Sequence, residues 1–398
     1  MAFSDDPAID GDRFAAQPDL YDGKIADNDV YVIPSGTHLR ETLIALIDCA
    51  QNSLKLYYYI FASDSSGHMV RDALINASIR GVEVTLMIDA FGSGDVDKRF
   101  FDPLIAAGGR MKIFGSGWST RYLIRNHQKM TIADDARILI GGFNVADGYF
   151  GLPQGDCWHD LGMVVEGPAV APMVRWYRIL WLWVAGKRHS YRTMRKIIRR
   201  WNPAQGTFRW LIGGPTNRLS PWARMVRTDL AIANRVDMVA AYFSPGQGLL
   251  KRLRGVAARG TVRFLMASKS DNGATIAAAR LLYGPLLRRG AEIYEYLPCK
   301  LHMKLIVIDD AVYIGSANFD MRSLFVNLEV MLRIEDANFA RAMRAAIDVW
   351  AQDSLHITQA VQDSRKGPWR LLKGWISYFL VGVLDYTVTR RLNFRNNG

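Results

Sequence analysis

The chain is short of several things. Cysteine is scarce: Cys49, Cys157 and Cys299 are the three in 398 residues. They lie far apart in sequence, give no disulfide framework and no paired metal-type spacing, and fit a reducing compartment. Long apolar runs are missing, since no stretch reaches the roughly 18 residues of a membrane-spanning helix. The N-terminus, MAFSDDPAIDGDRF, is acidic and polar, without the basic leader and apolar core of a secretory signal. Carboxylates are outnumbered: Asp and Glu total 38 against 50 Lys and Arg, for a net charge of +12 and a pI of about 9.6. That surplus attracts something anionic, nucleic acid or an acidic membrane surface, and charge alone does not choose between them.

What is present is enough to fold. Hydrophobic residues make up 49% of the chain, ample for a sizeable core, and the length suits two or three domains. Residues 1–30 have little to bury and read as a mobile arm. From Tyr31 the chain takes up an alternation of helices and strands. His38–Gln51 places Leu39, Leu43, Leu46 and Ile47 on one helical face. SLKLYYYIF (53–61) and VEVTLMI (82–88) read as buried strands around a helix over 67–79. Asp89 and the loop to Gly94 follow the second strand, at the carboxyl end where α/β sheets place ligands. The rhythm restarts after a basic, aromatic linker: VDMVAAYF (236–243) answers LKLYYYIF, with helices over 248–258 and 274–289 and strands over 262–267 and 292–296. The predicted fold is α/β, two tandem duplicated halves of mixed sheet flanked by helices: 31–205 and 206–360, then a tail over 361–398.

One constellation occurs twice. Asn126–Asp147 reads NHQKMTIADDARILIGGFNVAD, and Leu301–Asp320 reads LHMKLIVIDDAVYIGSANFD. Alternate side chains on a strand share a face. His302, Lys304 and Ile306 therefore fall on one face, and Met303, Leu305 and Val307 on the other. His127 and Lys129 hold the same relation. An aspartate pair follows each strand as a turn signal (Asp134 and Asp135, Asp309 and Asp310). A Gly-x-x-Asn step then ends each copy, at Asn144 and at Asn318. Two copies in one chain suggest a duplicated domain with one shared site.

The doubled His-x-Lys-x4-Asp with its trailing Gly-x-x-Asn closely resembles the phospholipase D superfamily. The first copy's GGFN and the second copy's GSANFD-MRS are most similar to the bacterial cardiolipin synthases. The likeness runs from about Tyr31 to Asp353. It implies a phosphatidyltransferase: one imidazole attacks phosphorus, and the other protonates the leaving alcohol and then activates the incoming one. By the superfamily's habit His127 is the nucleophile and His302 the acid and base. Lys129 and Lys304 place positive charge on the phosphoryl oxygens, and Asn144 and Asn318 add amide hydrogen bonds. No metal and no cofactor is required, because two ammoniums take that place. Asp134 and Asp309 belong to the catalytic motif of the resemblance, although a turn position suits them to holding the hairpin. Asp160 and Glu329 occupy matching places after the two motifs and are candidates to accept a ring N–H from the histidines. His159 and Cys299 read as core residues.

The implied substrate is an anionic phospholipid, with phosphatidylglycerol the first acceptor and phosphatidylethanolamine an alternative co-substrate. Cardiolipin and glycerol are the products. The chain resembles the shorter members that lack an N-terminal span, acting at the cytoplasmic face of a bacterial membrane as a peripheral or monotopic enzyme. Two basic, aromatic segments, 176–200 and 365–394, suit a lipid interface or, equally, a solvated face and a terminal helix over the core. Competing readings are a phospholipase D-type hydrolase or nuclease, and a membrane-binding protein with a degenerate site. The aromatics sit in apolar helices and do not interleave with charge along a sheet, so nucleic acid is not expected as a partner.

Overall fold

A computed structural model describes residues 20–365 apart from 35, 116–123, 152–156, 187–190, 202–205, 217–218 and 271–272, together with Ile376. The first half runs β1 (Tyr21–Ile25), β2 (Asn28–Pro34), α1 (Thr37–Asp48), β3 (Ser53–Tyr58), α2 (Ser65–Ile79), β4 (Glu83–Asp89), α3 (Asp102–Ala106), β5 (Arg110–Phe114), β6 (Met130–Ala133), β7 (Arg137–Gly141), β8 (Trp158–His159), β9 (Leu161–Glu166), α4 (Ala171–Ala185) and α5 (Tyr191–Arg200). The second runs β10 (Phe208–Gly213), α6 (Pro221–Ile232), β11 (Arg235–Ala240), β12 (Phe243–Ser244), α7 (Gln247–Arg259), β13 (Thr261–Ala267), α8 (Gly273–Leu287), β14 (Glu292–Tyr296), β15 (Lys300–Leu301), β16 (Lys304–Ile308), β17 (Ala311–Gly315), β18 (Phe319–Asp320), α9 (Met321–Phe325), β19 (Glu329–Glu335), α10 (Ala337–Gln352), β20 (Ser354–His356) and α11 (Gln359–Ser364).

Each half builds an eight-stranded mixed sheet. The orders are β1-β2-β9-β7-β6-β3-β4-β5 and β10-β19-β17-β16-β11-β13-β14-β20. The common part is a parallel trio, β3-β4-β5 and β11-β13-β14, joined through its first strand to an antiparallel hairpin, β6-β7 and β16-β17. Helices α1 and α2 cover the outer face of the first sheet, where Leu39, Leu43, Leu54, Leu56 and Leu74 are buried together. Helices α6, α7 and α8 cover the outer face of the second around Val236, Met238, Leu253 and Tyr283.

The inner faces meet in a single core. Tyr57, Met130, Ile132 and Ile140 of the first sheet are buried in one cluster with Leu305, Val307, Ile314 and Leu332 of the second. Helix α4 enters it with Met173, Trp176 and Leu180, and α10 with Phe339, Met343 and Trp350. The alternation read from β16 holds: Leu305 and Val307 face this shared core, and Ile306 and Ile308 face the outer one.

Several expectations need correction. The fold begins before residue 31, because β1 pairs with β2 over Tyr21–Val32 and Tyr21 stacks edge-on against Phe339 at 4.8 Å. The strand that carries Glu329 begins at that residue. The residues before it form α9, because the Asp320 carboxylate accepts the Ser323 N–H at 2.9 Å and caps a short helix. The strand expected to carry His302 is interrupted, and His302 and Met303 separate β15 from β16. The aromatics of α4 divide between core and surface, with Trp181 and Trp183 half-buried. Trp176 and Tyr177 are buried, with Trp176 Nε1–H donating to Gln128 Oε1 at 2.8 Å and the Tyr177 hydroxyl to the Thr85 carbonyl at 2.9 Å. In α5, Met194 and Ile198 pack into the shared core, leaving Arg192, Lys196, Arg199 and Arg200 exposed. The segment 365–394 lies outside the described residues except for Arg365 and Ile376. Among the described residues no helix is long and apolar enough to cross a membrane.

Candidate active site

The two motif segments cross between the halves. Leading into β6, Asn126 forms an isolated parallel bridge with Leu328 of the second half, and the His127 N–H donates to the Leu328 carbonyl at 2.9 Å. Leading into β16, β15 pairs in parallel with β8 of the first half, and the His302 N–H donates to the His159 carbonyl at 2.7 Å. Each histidine is thus strapped beside the residue that precedes the other half's acidic candidate: Leu328 before Glu329, His159 before Asp160.

The side chains pair the same way. His127 Nδ1 lies 3.2 Å from Glu329 Oε2, and His302 Nδ1 lies 2.6 Å from Asp160 Oδ2. Both carboxylates are fully buried. Donation of Nδ1–H to a carboxylate fixes the tautomer and leaves each Nε2 with a free lone pair. The acids are themselves held. Glu329 accepts from the hydroxyls of Ser316 (2.5 Å) and Ser323 (2.8 Å), and Asp160 accepts the Leu161 N–H at 2.8 Å.

The lysines complete the cluster. Lys129 Nζ donates to the His127 carbonyl at 2.8 Å, and Lys304 Nζ approaches the His302 carbonyl and lies 2.7 Å from His302 Nδ1. With Nδ1–H directed at Asp160, the carbonyl is the acceptor that Lys304 uses. Gly142 is what admits Lys304 to the first half. A Cβ there would sit 2.6 Å from Asp160 Oδ1 and 2.8 Å from Lys304 Cδ. Rings wall the site: Tyr59 meets His127 edge-on at 4.9 Å, and Tyr149 and Trp158 meet His302 at 5.2 and 5.1 Å.

Electrostatics tie these groups together. Burial, then Lys129, lowers His127 to about 4, and burial, then Lys304, lowers His302 to about 3. Both imidazoles are therefore neutral at pH 7. Burial lowers Lys304 to about 8 and pushes Lys129 well below the usual lysine range. Burial acts to raise Asp160 and Glu329 but is outweighed, by Lys304 and His302 in the first case and by His127 and Lys129 in the second, so both stay ionised. Lys304 acts on His127, and Lys129 on His302, across the boundary between halves. The two pairs sit in one electrostatic environment, and an arriving phosphodiester anion would favour protonation of either ring.

Asn144 is buried, and its side-chain oxygen accepts the Ile60 N–H at 3.1 Å, leaving its amide N–H groups as donors. Asn318 is buried with its side-chain oxygen unpartnered. An amide flip exchanges the two ends of the group. Asp134 and Asp309 lie elsewhere, five residues down their strands and roughly 15 Å from the lysines. Asp134 accepts the N–H groups of Gln51, Asn52 and Ser53 at 2.9, 2.6 and 2.9 Å, and Asp309 those of Asn234 and Arg235 at 3.1 and 2.8 Å. This corrects their grouping with the chemistry: they tie each hairpin turn to the neighbouring strand.

The sequence placed Asp89 at the ligand end of the first sheet without showing its task, and it missed the serines around Glu329 and the His159 carbonyl. Asp89 is buried, and its Oδ2 accepts the Asn126 N–H at 2.9 Å, anchoring the segment that delivers His127. Its place at the end of β4 was the available signal. The serines around Glu329 and the His159 carbonyl gave none, because backbone acceptors and hydroxyls are too common to stand out. His159 itself is buried against Tyr296 and Trp350, at 5.2 and 5.7 Å, as a core residue.

Comparison with known proteins agrees with the geometry. The family described as "Cardiolipin synthase, PLD-like domain" matches residues 43–181 and 230–350. The chain is 30% identical over 343 residues to cardiolipin synthase A of Pseudomonas aeruginosa (strain LESB58), covering 84% of this chain and 69% of that one. It is 31% identical over 326 residues to the major cardiolipin synthase ClsA of Bacillus subtilis (strain 168), covering 80% and 67%. Its fold is similar to the crystal structure of phosphatidylserine synthase from Haemophilus influenzae Rd KW20, with a TM-score of 0.68 at 13% identity over 91% of this chain and 95% of that one. With a family match in both halves and relatives aligned across most of its length, the chain belongs to the cardiolipin synthase family of the phospholipase D superfamily.

Proposed function

We propose that the protein makes cardiolipin by transphosphatidylation, with phosphatidylglycerol as acceptor and as first donor. The carrying observation is the crosswise pairing of His127 with Glu329 and of His302 with Asp160. In the first step the bound phosphodiester anion favours a proton on His302 Nε2, His127 Nε2 forms a bond to phosphorus, the P–O bond to the departing glycerol breaks, and that oxygen takes the His302 proton. In the second, His302 removes the proton from a hydroxyl of another phosphatidylglycerol, that oxygen bonds phosphorus, and the P–N bond breaks. Lys129, Lys304 and the amides of Asn144 and Asn318 hold the phosphoryl oxygens as charge builds on them. His127 is favoured as nucleophile because its side chain is the more exposed imidazole, 12% against 6%. The buried, ring-walled site favours a lipid alcohol over water. The protein works from a membrane surface, on the cytoplasmic side, through exposed cations such as those of α5.

Purified protein with phosphatidylglycerol vesicles tests this by lipid mass spectrometry. Cardiolipin and glycerol are expected in equal amounts. Phosphatidic acid without cardiolipin would make the protein a hydrolase, and cleavage of single-stranded DNA without lipid turnover would make it a nuclease. A trapped phosphoenzyme is expected on His127 and lost in His127→Ala; label found on His302 alone would reverse the roles.

A further inference from the structure

Cys157 and Cys299, remote in sequence, are neighbours in space. β8 and β15 pair in parallel, with Trp158 opposite Lys300, and the Lys300 N–H donates to the Cys157 carbonyl at 3.1 Å. That register puts Cys157 opposite Cys299, one from each half of the molecule. The Cys157 side chain is near enough to act on the Cys299 thiol, and neither is in a disulfide. Residues opposed on adjacent strands have Cα atoms about 5 Å apart, inside the range of about 4.4–6.8 Å that a disulfide spans. Cys299 is buried, and Cys157 is half-buried and so the accessible partner. Just past these two strands, Asp160 follows Cys157 by three residues and His302 follows Cys299 by three. Trp158, next to Cys157, packs edge-on against the His302 ring at 5.1 Å.

We propose that Cys157 and Cys299 form an oxidisable dithiol that closes into a disulfide across the two halves and slows turnover by displacing the His302–Asp160 pair. The oxidant is a peroxide. The Cys157 thiolate attacks one peroxide oxygen, the O–O bond breaks, and Cys157 becomes a sulfenic acid. The Cys299 sulfur then attacks the Cys157 sulfur, the S–O bond breaks, and water leaves. In total two thiols and one hydrogen peroxide give one disulfide and two waters. The new bond draws the sulfurs from non-bonded separation to about 2 Å. Strands β8 and β15 must shift to allow it, and the 2.6 Å contact between His302 and Asp160 rides on those strands. Cys157 beside it, then burial, pushes the Cys299 thiol up, so closure is slow at neutral pH and quickens as pH rises.

The test treats the full-length protein with hydrogen peroxide, blocks remaining thiols and maps peptides without reduction. The expected result is a linked peptide pair containing Cys157 and Cys299, with Cys49 left alkylated. Turnover of phosphatidylglycerol vesicles falls about tenfold or more in step with the linked fraction and returns with dithiothreitol. Cys157→Ser keeps its turnover through the same treatment. Both thiols remaining alkylatable, a bridge to Cys49, or full turnover of quantitatively linked protein would each overturn the proposal. The peptide map needs no lipid substrate, so it stands or falls apart from the assigned reaction.

Discussion

A buried imidazole costs stability as soon as acid can charge it. His127, His159 and His302 are lowered by burial to about 4, 4 and 3, against an ordinary value of 6.5. Between about pH 4 and 6.5 the unfolded chain binds protons that the folded chain refuses, so stability falls as pH drops through that window. His159 takes no part in the chemistry and isolates the effect. His159→Phe should flatten the loss of denaturant midpoint between pH 6.5 and 4, by up to roughly 3 kcal/mol at the acid end; an unchanged slope would refute the assignment. The acids beside the other two rings answer to kinetics. Glu329→Gln and Asp160→Asn should each keep the fold and lower kcat by about 10²–10⁴-fold, with KM little changed, because a carboxamide favours the wrong tautomer. At this scale the sequence displayed the His-x-Lys pairs, whose spacing repeats, and both acids, each on the strand that follows its motif. Which acid serves which ring was hidden, because the crossing of Asn126 to Leu328 and of Leu301 to His159 is a long-range event that no local pattern encodes.

Each hairpin is an element with two ends and two tasks. The end bearing the lysine faces the site, and the end bearing the aspartate ties the turn to the next strand. Asp134 adopts φ of 51° and Asp309 of 46°, a left-handed conformation that aspartate tolerates better than most residues. Asp134→Ala strands three amide donors and should cost about 1–3 kcal/mol of stability, read by denaturant titration, while kcat per folded molecule stays unchanged. Gly142→Ala should do the reverse. Its new methyl meets the Asp160 carboxylate and the Lys304 stem, so turnover should fall by about tenfold or more with a modest change in melting temperature. Regular helices and strands were legible from their periodicity. The short α9, the break at His302 and the burial of Trp176 were not. The first two follow from a cap and a cross-half bridge, and the third from a partner, Gln128, nearly fifty residues upstream.

For the molecule as a whole, the net charge of +12 governs encounter with an anionic surface more than it governs the fold. Sedimentation with phosphatidylglycerol vesicles should weaken steadily as sodium chloride rises past about 0.15 M, where screening acts over about 8 Å. Reversing Arg192, Lys196, Arg199 and Arg200 to glutamate should weaken it further without altering the melting temperature by more than a few degrees, since these residues are exposed. Duplication was visible in the motifs, while the shared core was not, because each strand's inner face only acquires a partner once the halves meet. The crossed straps carry one more consequence, for descent. A solitary half would own an imidazole without its acid and an acid without its imidazole. A single copy with this pairing would need a second identical chain face to face with it to complete either pair. With both copies in one chain, neither is free to drift alone, because a change near one acid is felt by the ring encoded in the other half.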